Sequence, residues 1–599
     1  MPRATWTWTF DLPPGELWPV LADTNRFNEA MGLPPYVLEE TPQANGTVLR
    51  RGRGKAAGFA LEWEEKPYEW TEGRHFAQSR EFTRGPFRRF GPVFDLEPID
   101  LGRGKVGSRV SYALEYEPLT LTGRLFGARL AKQAGGIVEK RILEAVAFAK
   151  GDRPTWFDLK PPELPAGARE RAAALAAEVD RSPYGNGLGQ RLADLVLTGM
   201  ATDLGHIKPR KLARELGVAP RAAIEACLAA TRAGLLAMKW DLLCTNCRGA
   251  KLTVSALSEL PRGAHCPSCN IDYDRDFEKN VELSFAPAPA VRPLAVGGFC
   301  LSGPMATPHV RVQVLLQPGE TKSASVTLPA GAYRLRTLHP GGFVDIDHDP
   351  QQAGGGFPGL RVSATGVEAM PAGPPGTVAF ANEAGFEVAA LIEDRTWTRD
   401  ALTAPEAVSL QAFRDLFAEA TLRPGDEAGV SHVALLFSDL RGSTALYERI
   451  GDAAAFNMVR EHFALLAAIV RDHDGAVVKT IGDAVMAAFG DPADAVRAAF
   501  EMQRRIADHE LVLKLGVHAG PSVMVTLNDR LDYFGSTVNM AARLQGQAEG
   551  GDIVLSRAVA EDPAVQPLLA GLSSRKESVL LKGFTDPIGF VRLLPAAAV

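Results

Sequence analysis

The chain reads as a multidomain α+β protein, and three observations predict this. Its 599 residues correspond, at about 150 per domain, to roughly four domains. Its composition is 46% hydrophobic, 23% charged and 8% aromatic, which excludes a disordered, fibrous or collagenous chain. The pattern also changes along the length. Period-2 alternation comes first, then an Ala-rich helical stretch, a cysteine-bearing segment, a β-rich stretch punctuated by Pro and Gly, and finally alternating strands and helices. A net charge of −6 gives no chain-wide basic field, so neither nucleic acid nor an acidic membrane is expected as a partner. No run reaches the roughly 18 uninterrupted apolar residues of a bilayer span. The opening MPRATWTWTF lacks an apolar core followed by a cleavage site, so a cytoplasmic location is expected. Six cysteines are too few for a disulfide scaffold.

Residues 1–152 open on Thr5-Trp6-Thr7-Trp8-Thr9-Phe10, a strand with its aromatics on one face. A helix is expected around Leu17–Ala30, strands near 57–64, 74–83, 93–98 and 107–117, and a long amphipathic helix from Phe126 to Ala149 bearing Leu130, Ile137, Ile142 and Val146. This order resembles the helix-grip, or START-like, lipid-binding fold. The resemblance implies an apolar pocket between a curved sheet and the last helix, with an apolar small molecule as its ligand. The competing expectation is that Trp6, Trp8 and Phe10 fill a solid core.

Residues 160–241 read as helix, Gly turn, longer helix and strand, a pattern that resembles a winged helix. From Gly205 to Lys239 there are seven Lys/Arg against two Asp/Glu, a local net of +5. A DNA reader needs basic and amide side chains on its second helix. Ala222–Gly234 is mostly Ala, Ile, Leu and Cys227, so protein docking is the preferred reading.

Within 242–285, Cys244-Thr-Asn-Cys247 and Cys266-Pro-Ser-Cys269 are separated by 18 residues. Each CxxC turn presents two thiolates to one ion, and two such turns complete a tetrahedral S₄ site. Zn²⁺ in a structural role is the expected ion, and the segment resembles zinc ribbons. A redox CxxC reading lacks a βαβ context and has no use for two pairs. Cys227 and Cys300 are read as small buried apolar residues.

A Pro-rich linker, Phe285–Pro293, leads to residues 294–400. There the runs His309–Gln317, Lys322–Leu328, Tyr333–Leu338, Gly376–Asn382 and Phe386–Glu393 predict a small antiparallel sandwich with DPQQAGGGFPG as a loop. His339, Asp345, Asp347 and His348 could be imagined as a metal cluster, although nothing in the sequence fixes their geometry. Leu410, Phe413, Leu416, Phe417 and Ala420 recur at helical spacing, predicting a linker helix within 405–425.

In residues 430–599, strand His432–Ser438 precedes a helix bearing Phe456, Val459, Phe463, Leu466 and Ile469. Strands Ala476–Ile481 and Ala484–Phe489 flank a Gly482-Asp483 turn. Helix Ala493–Asp508, strand Val512–His518, helix Ser536–Gln547 and strand Asp552–Leu555 follow. This βαββαβ-like order predicts a sheet containing antiparallel pairs with helices on one face. Asp439 and Asp483 end strands, where antiparallel neighbours can bring them to one spot. Such carboxylates suit Mg²⁺ with a triphosphate. The backbone N–H groups of Leu440, Arg441, Gly442, Ser443 and Thr444, at a helix start, suit its phosphates. Asn539 and Arg543, one helical turn apart, form an anion and sugar clamp.

The segments FSDLRGST, VVKTIGDAVMAAFG, KLGVHAG, YFGSTVNMAARL and LLKGFTDPIGF resemble, in order and spacing, the catalytic domain of class III adenylate and guanylate cyclases, with its ferredoxin-like fold. The resemblance implies that Asp439 and Asp483 ligate two Mg²⁺ or Mn²⁺ ions. It further implies that Lys479 and Asp532 read the purine, that Asn539 orients the ribose and that Arg543 meets the reacting phosphate. ATP is the implied substrate, and a homodimer is implied because the family shares each site between two subunits. The competing expectation is a regulator whose cyclase fold only senses a nucleotide, or which binds DNA or protein.

Overall fold

In strand Arg3–Phe10, Trp6, Trp8 and Phe10 alternate with exposed threonines, and the strand pairs antiparallel with Val106–Pro118, Trp8 opposite Val110. The computed structural model describes residues 2–33, 36–56, 58–294, 303–351, 356–396, 400–423, 425–506 and 511–594. Strand Val106–Pro118 pairs with Phe87–Asp100 along one edge, and from the other edge the sheet branches at Arg89–Phe90 to Arg80–Arg84, Phe59–Glu65, Val48–Ala56 and Leu38–Pro42, and at Val93–Asp95 to His75–Ala77 and Glu69–Thr71. Helix Leu121–Ala149, capped by Thr120 Oγ1 accepting from Gly123 N, lies across this sheet with Val138, Ile142, Ala145 and Val146 buried. A Cβ at Gly135 would sit 2.0 Å from the Trp6 ring, so glycine is what lets the helix rest on that indole. The single helix expected over Leu17–Ala30 is two, Pro14–Leu21 and Thr24–Ala30. Asp23 ends the first stretch and caps the second, accepting from Arg26 N at 3.1 Å.

The expected 294–400 sandwich has two four-stranded sheets, but they are not wholly antiparallel. Pro358–Ser363 runs parallel to Thr377–Asn382, with Leu360 opposite Phe380. One of its sheets continues into the N-terminal one, because Val310–Leu316 pairs with Glu69–Thr71, Gln313 opposite Trp70. Residues 352–355 of the Gly-rich insert, and Cys300, lie outside the described residues. The imagined His/Asp cluster does not form. Along Phe343–His348 the aspartates face solvent and His348 the other side, where its ring meets Tyr333 and Phe357, while Asp345 pairs with Arg334 at 2.7 Å.

Helices Ala168–Arg181, Gly189–Thr198, Pro209–Leu216 and Pro220–Ala233 precede strand Leu236–Leu243. Six of the seven basic residues counted above are tied to acidic groups elsewhere in the chain: Lys208 to Glu282, Arg210 to Glu406, Lys211 to Asp203, Arg214 to Asp400, Arg221 to Asp474 and Arg232 to Glu419. The local positive charge therefore serves contacts within the molecule. Where one linker helix was expected there are two short ones, Ala404–Val408 and Gln411–Leu416.

The C-terminal sheet has the order Gly475–Ile481, Ala484–Phe489, Ala428–Leu440, Leu513–Leu527, Ile553–Ser556, Ile588–Leu593, Ser574–Val579, with Arg530–Phe534 paired to the far end of Leu513–Leu527. Helices Asp452–Asp472 and Pro492–Ile506 cover one face, packing Leu466, Ile469, Val496 and Met502 on Ala434, Leu436 and Ala487. The stretch Ala453–Asp472 is apolar and long enough to pass for a membrane span, yet it contributes to this core. The other face carries Leu435, Phe437, Met486 and Ala488, and these join Phe413, Val408 and Trp240 in one continuous core. Helix Ser536–Gln545 also lies here, so close to the sheet that a Cβ on Gly516 would sit 2.2 Å from Gln545 N.

Candidate active site

Asp439 is the penultimate residue of the central strand Ala428–Leu440, and Asp483 occupies the turn between Gly475–Ile481 and Ala484–Phe489. Ser438 Oγ accepts from Val485 N at 3.2 Å, pinning that turn to the end of the central strand. The two carboxylates are near enough to repel. Burial and then the Asp483 charge push the Asp439 carboxyl above its ordinary value, against the pull of Lys514. Asp483 Oδ2 is buried with no hydrogen-bond partner. A buried, unpartnered carboxylate oxygen beside a second carboxylate is costly unless a cation meets it. Oxygen-only donors of this kind suit a hard divalent ion.

The expected phosphate loop, Leu440–Thr444, runs from the end of the sheet into the start of a helix. Leu440 is opposite Leu513 at the end of the sheet, and Arg441 N donates to Val512 O at 2.9 Å. Gly442, Ser443 and Thr444 remain at the first turn of helix Ser443–Ile450, whose leading N–H groups have no intrahelical acceptor.

Lys479 and Asp532 meet although 53 residues separate them: Lys479 Nζ donates to Asp532 Oδ2 at 2.6 Å. Asp532 is 7% exposed, and its Oδ1 accepts from Tyr533 N at 2.8 Å, so one oxygen is fixed by backbone and the other by the ammonium. Lys479 is opposite Met486, which belongs to the same core as Leu435 and Phe437. By period-2 alternation Asp439 shares that sheet face. Asn539 and Arg543 are both exposed on helix Ser536–Gln545. Among the described residues, no hydrogen bond or ion pair joins the Asp439/Asp483 pair, the Lys479/Asp532 pair and the Asn539/Arg543 pair to one another. Two neighbours of Asp439 were not anticipated: Lys514, its cross-strand partner, and Gln545, whose side chain lowers the Asp439 carboxyl while its own Nε2 is buried without a hydrogen-bond partner. Both follow from strand register and helix docking, which spacing alone does not encode.

The four cysteines form a second site. Cys244–Cys247 turns between strands Leu236–Leu243 and Ala250–Val254, and Cys266–Cys269 between Gly263–Cys266 and Ile271–Asp274. Their sulfurs lie within 4.8 Å of one another, and Cys247 Sγ is 3.9 Å from Cys266 Sγ. The edge of an S₄ tetrahedron with bonds of about 2.3 Å is about 3.8 Å. Hydrogen bonds from the three other cysteines hold the Cys247 thiol below its ordinary value, while hydrogen bonding within the cluster pushes the Cys244 and Cys269 thiols up. Both turns are gripped from outside. Ser268 O accepts from Arg50 Nη2 at 2.7 Å and its hydroxyl donates to Glu40, while Asn246 O accepts from His309 Nε2 and Arg336 Nη2.

A third feature is a cavity of about 250 Å³ between helix Leu121–Ala149 and the N-terminal sheet, walled by Phe27, Met31, Phe90, Tyr112, Ile137 and Ile142. Its polar residues include Gln78 and Arg80, both hydrogen-bonded to Glu65. Trp6 packs under the helix while this cavity opens beside it, so the aromatic core and the pocket coexist.

Residues 426–579 match the family described as "Adenylate and Guanylate cyclase catalytic domain", and residues 175–298 match a family of unknown function (DUF5939). An adenylate cyclase of Lachancea kluyveri is 31% identical over 162 residues, covering 22% of this chain and 9% of that protein. An adenylate cyclase of Glutamicibacter nicotianae is 31% identical over 175 residues, covering 28% of this chain and 43% of that protein. These matches span less than half the length of either relative. The crystal structure of the adenylyl cyclase CyaB from P. aeruginosa aligns with 29% of this chain and 98% of its own, at 22% identity and a TM-score of 0.26.

The purified protein is expected to carry about one equivalent of metal per chain at the four cysteines, and Cys269→Ser should lose it. Elemental analysis checks this, and a metal-free wild type would refute the S₄ assignment.

Proposed function

With residues 426–579 belonging to the adenylate and guanylate cyclase catalytic domain family, we propose that this chain is an adenylate cyclase that converts ATP to 3′,5′-cyclic AMP and pyrophosphate. The observation that carries the choice of ATP is the Lys479–Asp532 pair. Adenine offers an N6 amino donor and an N1 acceptor. A carboxylate only accepts and an ammonium only donates, so Asp532 takes the N6 hydrogen while Lys479 serves N1 and steadies Asp532. Guanine would set O6 against the carboxylate and N1–H against the ammonium. Buried groups left unpaired in that way can discriminate by about 10⁴.

Asp439 and Asp483 hold two Mg²⁺ or Mn²⁺ ions, which when bound stabilise charge on the attacking and leaving oxygens. Asn539 orients the ribose so that its 3′ oxygen faces the α-phosphorus. The N–H groups at Gly442–Thr444 receive phosphate oxygens, and Arg543 neutralises charge that develops on the reacting phosphate. The O3′–H bond breaks with its proton passing to solvent, the new bond joins O3′ to the α-phosphorus, and pyrophosphate departs with the electrons of the bond it breaks. Positioning and charge stabilisation supply the acceleration. One catalytic domain per chain, together with exposed Asn539 and Arg543 that among the described residues bond to neither the Asp439/Asp483 pair nor the Lys479/Asp532 pair, supports a homodimer in which each copy completes its partner's site.

In front of this enzyme, the four-cysteine cluster is a structural zinc site in a ribbon, the helical unit is a winged helix used for docking, and the N-terminal helix-grip domain takes an amphipathic small molecule. The ligand's apolar body would lie against Phe27, Phe90 and Ile137, with its polar end at Gln78 and Arg80. The probe 1-anilinonaphthalene-8-sulfonate should bind wild type at this cavity, and Ala134→Trp, which fills it, should abolish that fluorescence. Equal fluorescence from both proteins would contradict the assignment.

Asp439→Asn and Asp483→Asn should each lower turnover at saturating Mn²⁺ by at least about a hundredfold without loss of fold by circular dichroism. Lys479→Glu with Asp532→Cys exchanges donor for acceptor, and should move the ATP-to-GTP ratio of kcat/KM toward GTP by about tenfold or more. Wild-type turnover of GTP as fast as ATP would remove the purine-reading roles.

A further inference from the structure

One short helix holds both strands that carry the purine-reading pair. Gln411 Oε1 accepts from Val477 N at 2.7 Å, two residues before Lys479. Three residues along the same helix, Arg414 Nη1 donates to Leu531 O at 3.0 Å, one residue before Asp532. Between them Phe413 is 1% exposed and its ring meets Trp240 edge-on at 6.0 Å.

The two strands so bridged are not hydrogen-bonded neighbours. Gly475–Ile481 is the edge of the sheet, and Arg530–Phe534 pairs only with the far end of Leu513–Leu527. No ladder between them fixes their separation, so it depends on what spans the gap. The Lys479–Asp532 pair is one such span and helix Gln411–Leu416 is the other. Both anchoring side chains are themselves oriented. Gln411 Nε2 donates to Asp415 Oδ1 at 2.6 Å, which turns its carbonyl oxygen toward Val477. Asp415 also accepts from the Tyr184 hydroxyl, which lies in the helical unit. Arg414 Nε donates to Val408 O at 3.0 Å, and its guanidinium lies 5.8 Å from the Tyr533 ring centroid.

We infer that Gln411 and Arg414 are positioning residues that set the separation of Lys479 from Asp532, and with it the preference for ATP over GTP. This rests on the base-reading role proposed above. A donor and an acceptor that must meet two edge atoms of one flat base tolerate displacements well below 1 Å. A helix that grips one strand beside each group controls that distance without touching substrate.

The test uses the full-length protein and steady-state kinetics with ATP and with GTP at saturating Mn²⁺. Arg414→Ala and Gln411→Ala should each raise the KM for ATP and lower the ATP-to-GTP ratio of kcat/KM by about tenfold, with kcat for ATP within about threefold of wild type. Arg414→Lys keeps a donor for Leu531 O and should recover most of the ratio. Arg232→Ala removes only the exposed pair with Glu419 and should change neither quantity. An unchanged KM and ratio in Arg414→Ala, at the wild-type thermal midpoint, overturns the inference; so does a fall in kcat alone. If Arg414→Ala does not fold, Gln411→Ala decides, because it removes only a half-buried amide, with its bonds to Val477 and Asp415. A wild type that turns over neither nucleotide contradicts the cyclase reading instead. The positioning role is then read from the ratio of ATP and GTP dissociation constants in wild type and Gln411→Ala.

Discussion

The central strand Ala428–Leu440 is buried on both faces, and much of the molecule is arranged around that fact. Its alternate residues face two different cores. Ala434, Leu436 and Leu440 pack beneath the helices of the catalytic domain itself. Val433, Leu435 and Phe437 pack against segments that precede the domain, including Val408, Phe413 and Trp240. Leu435, Phe437 and Met486 together represent about 5–9 kcal/mol of apolar burial. A contribution of that size keeps the front half in contact with the catalytic sheet. The same face carries Asp439 and Lys479, so the surface of the proposed chemistry is continuous with the surface on which the rest of the chain docks.

That continuity runs further forward. The 175–298 region reaches the catalytic domain through Arg221 and Asp474, and reaches helix Gln411–Leu416 in front of it through Tyr184 and Asp415. It reaches the N-terminal sheet through the cysteine turns. Ser268 is held by Arg50 and Glu40, Asn246 by His309 and Arg336. The four-sulfur cluster thus sits where the N-terminal sheet and the sandwich meet, and the strand pairing of Val310–Leu316 with Glu69–Thr71 joins those two parts directly.

The candidate site residues were legible in the sequence because their spacing is local. Asp439 and Asp483 end strands, Asn539 and Arg543 share a helix face, and each CxxC is a turn. Periodicity also gave the long N-terminal helix and the βαββαβ order. What it missed depends on long-range pairing. The parallel pair Leu360–Phe380, the joined sheets, and Lys514 beside Asp439 are all matters of register between distant strands. The break at Asp23 is a cap inside a run that otherwise reads as helix. The split linker has a similar cause. Leu410 to Ala420 keep helical spacing, but burial of Phe413 against Trp240 and the backbone contacts of Gln411 and Arg414 determine where the short helix lies. Lys479 and Asp532 were paired through the family resemblance, since a sequence separation of 53 hides their contact.

The central claim is that these side chains together cyclise ATP. Incubating the purified full-length protein with ATP and Mn²⁺, and identifying the products by phosphorus NMR, tests it most directly. The account predicts 3′,5′-cyclic AMP and pyrophosphate in equal amounts. Unchanged ATP, or ADP with inorganic phosphate, would contradict it.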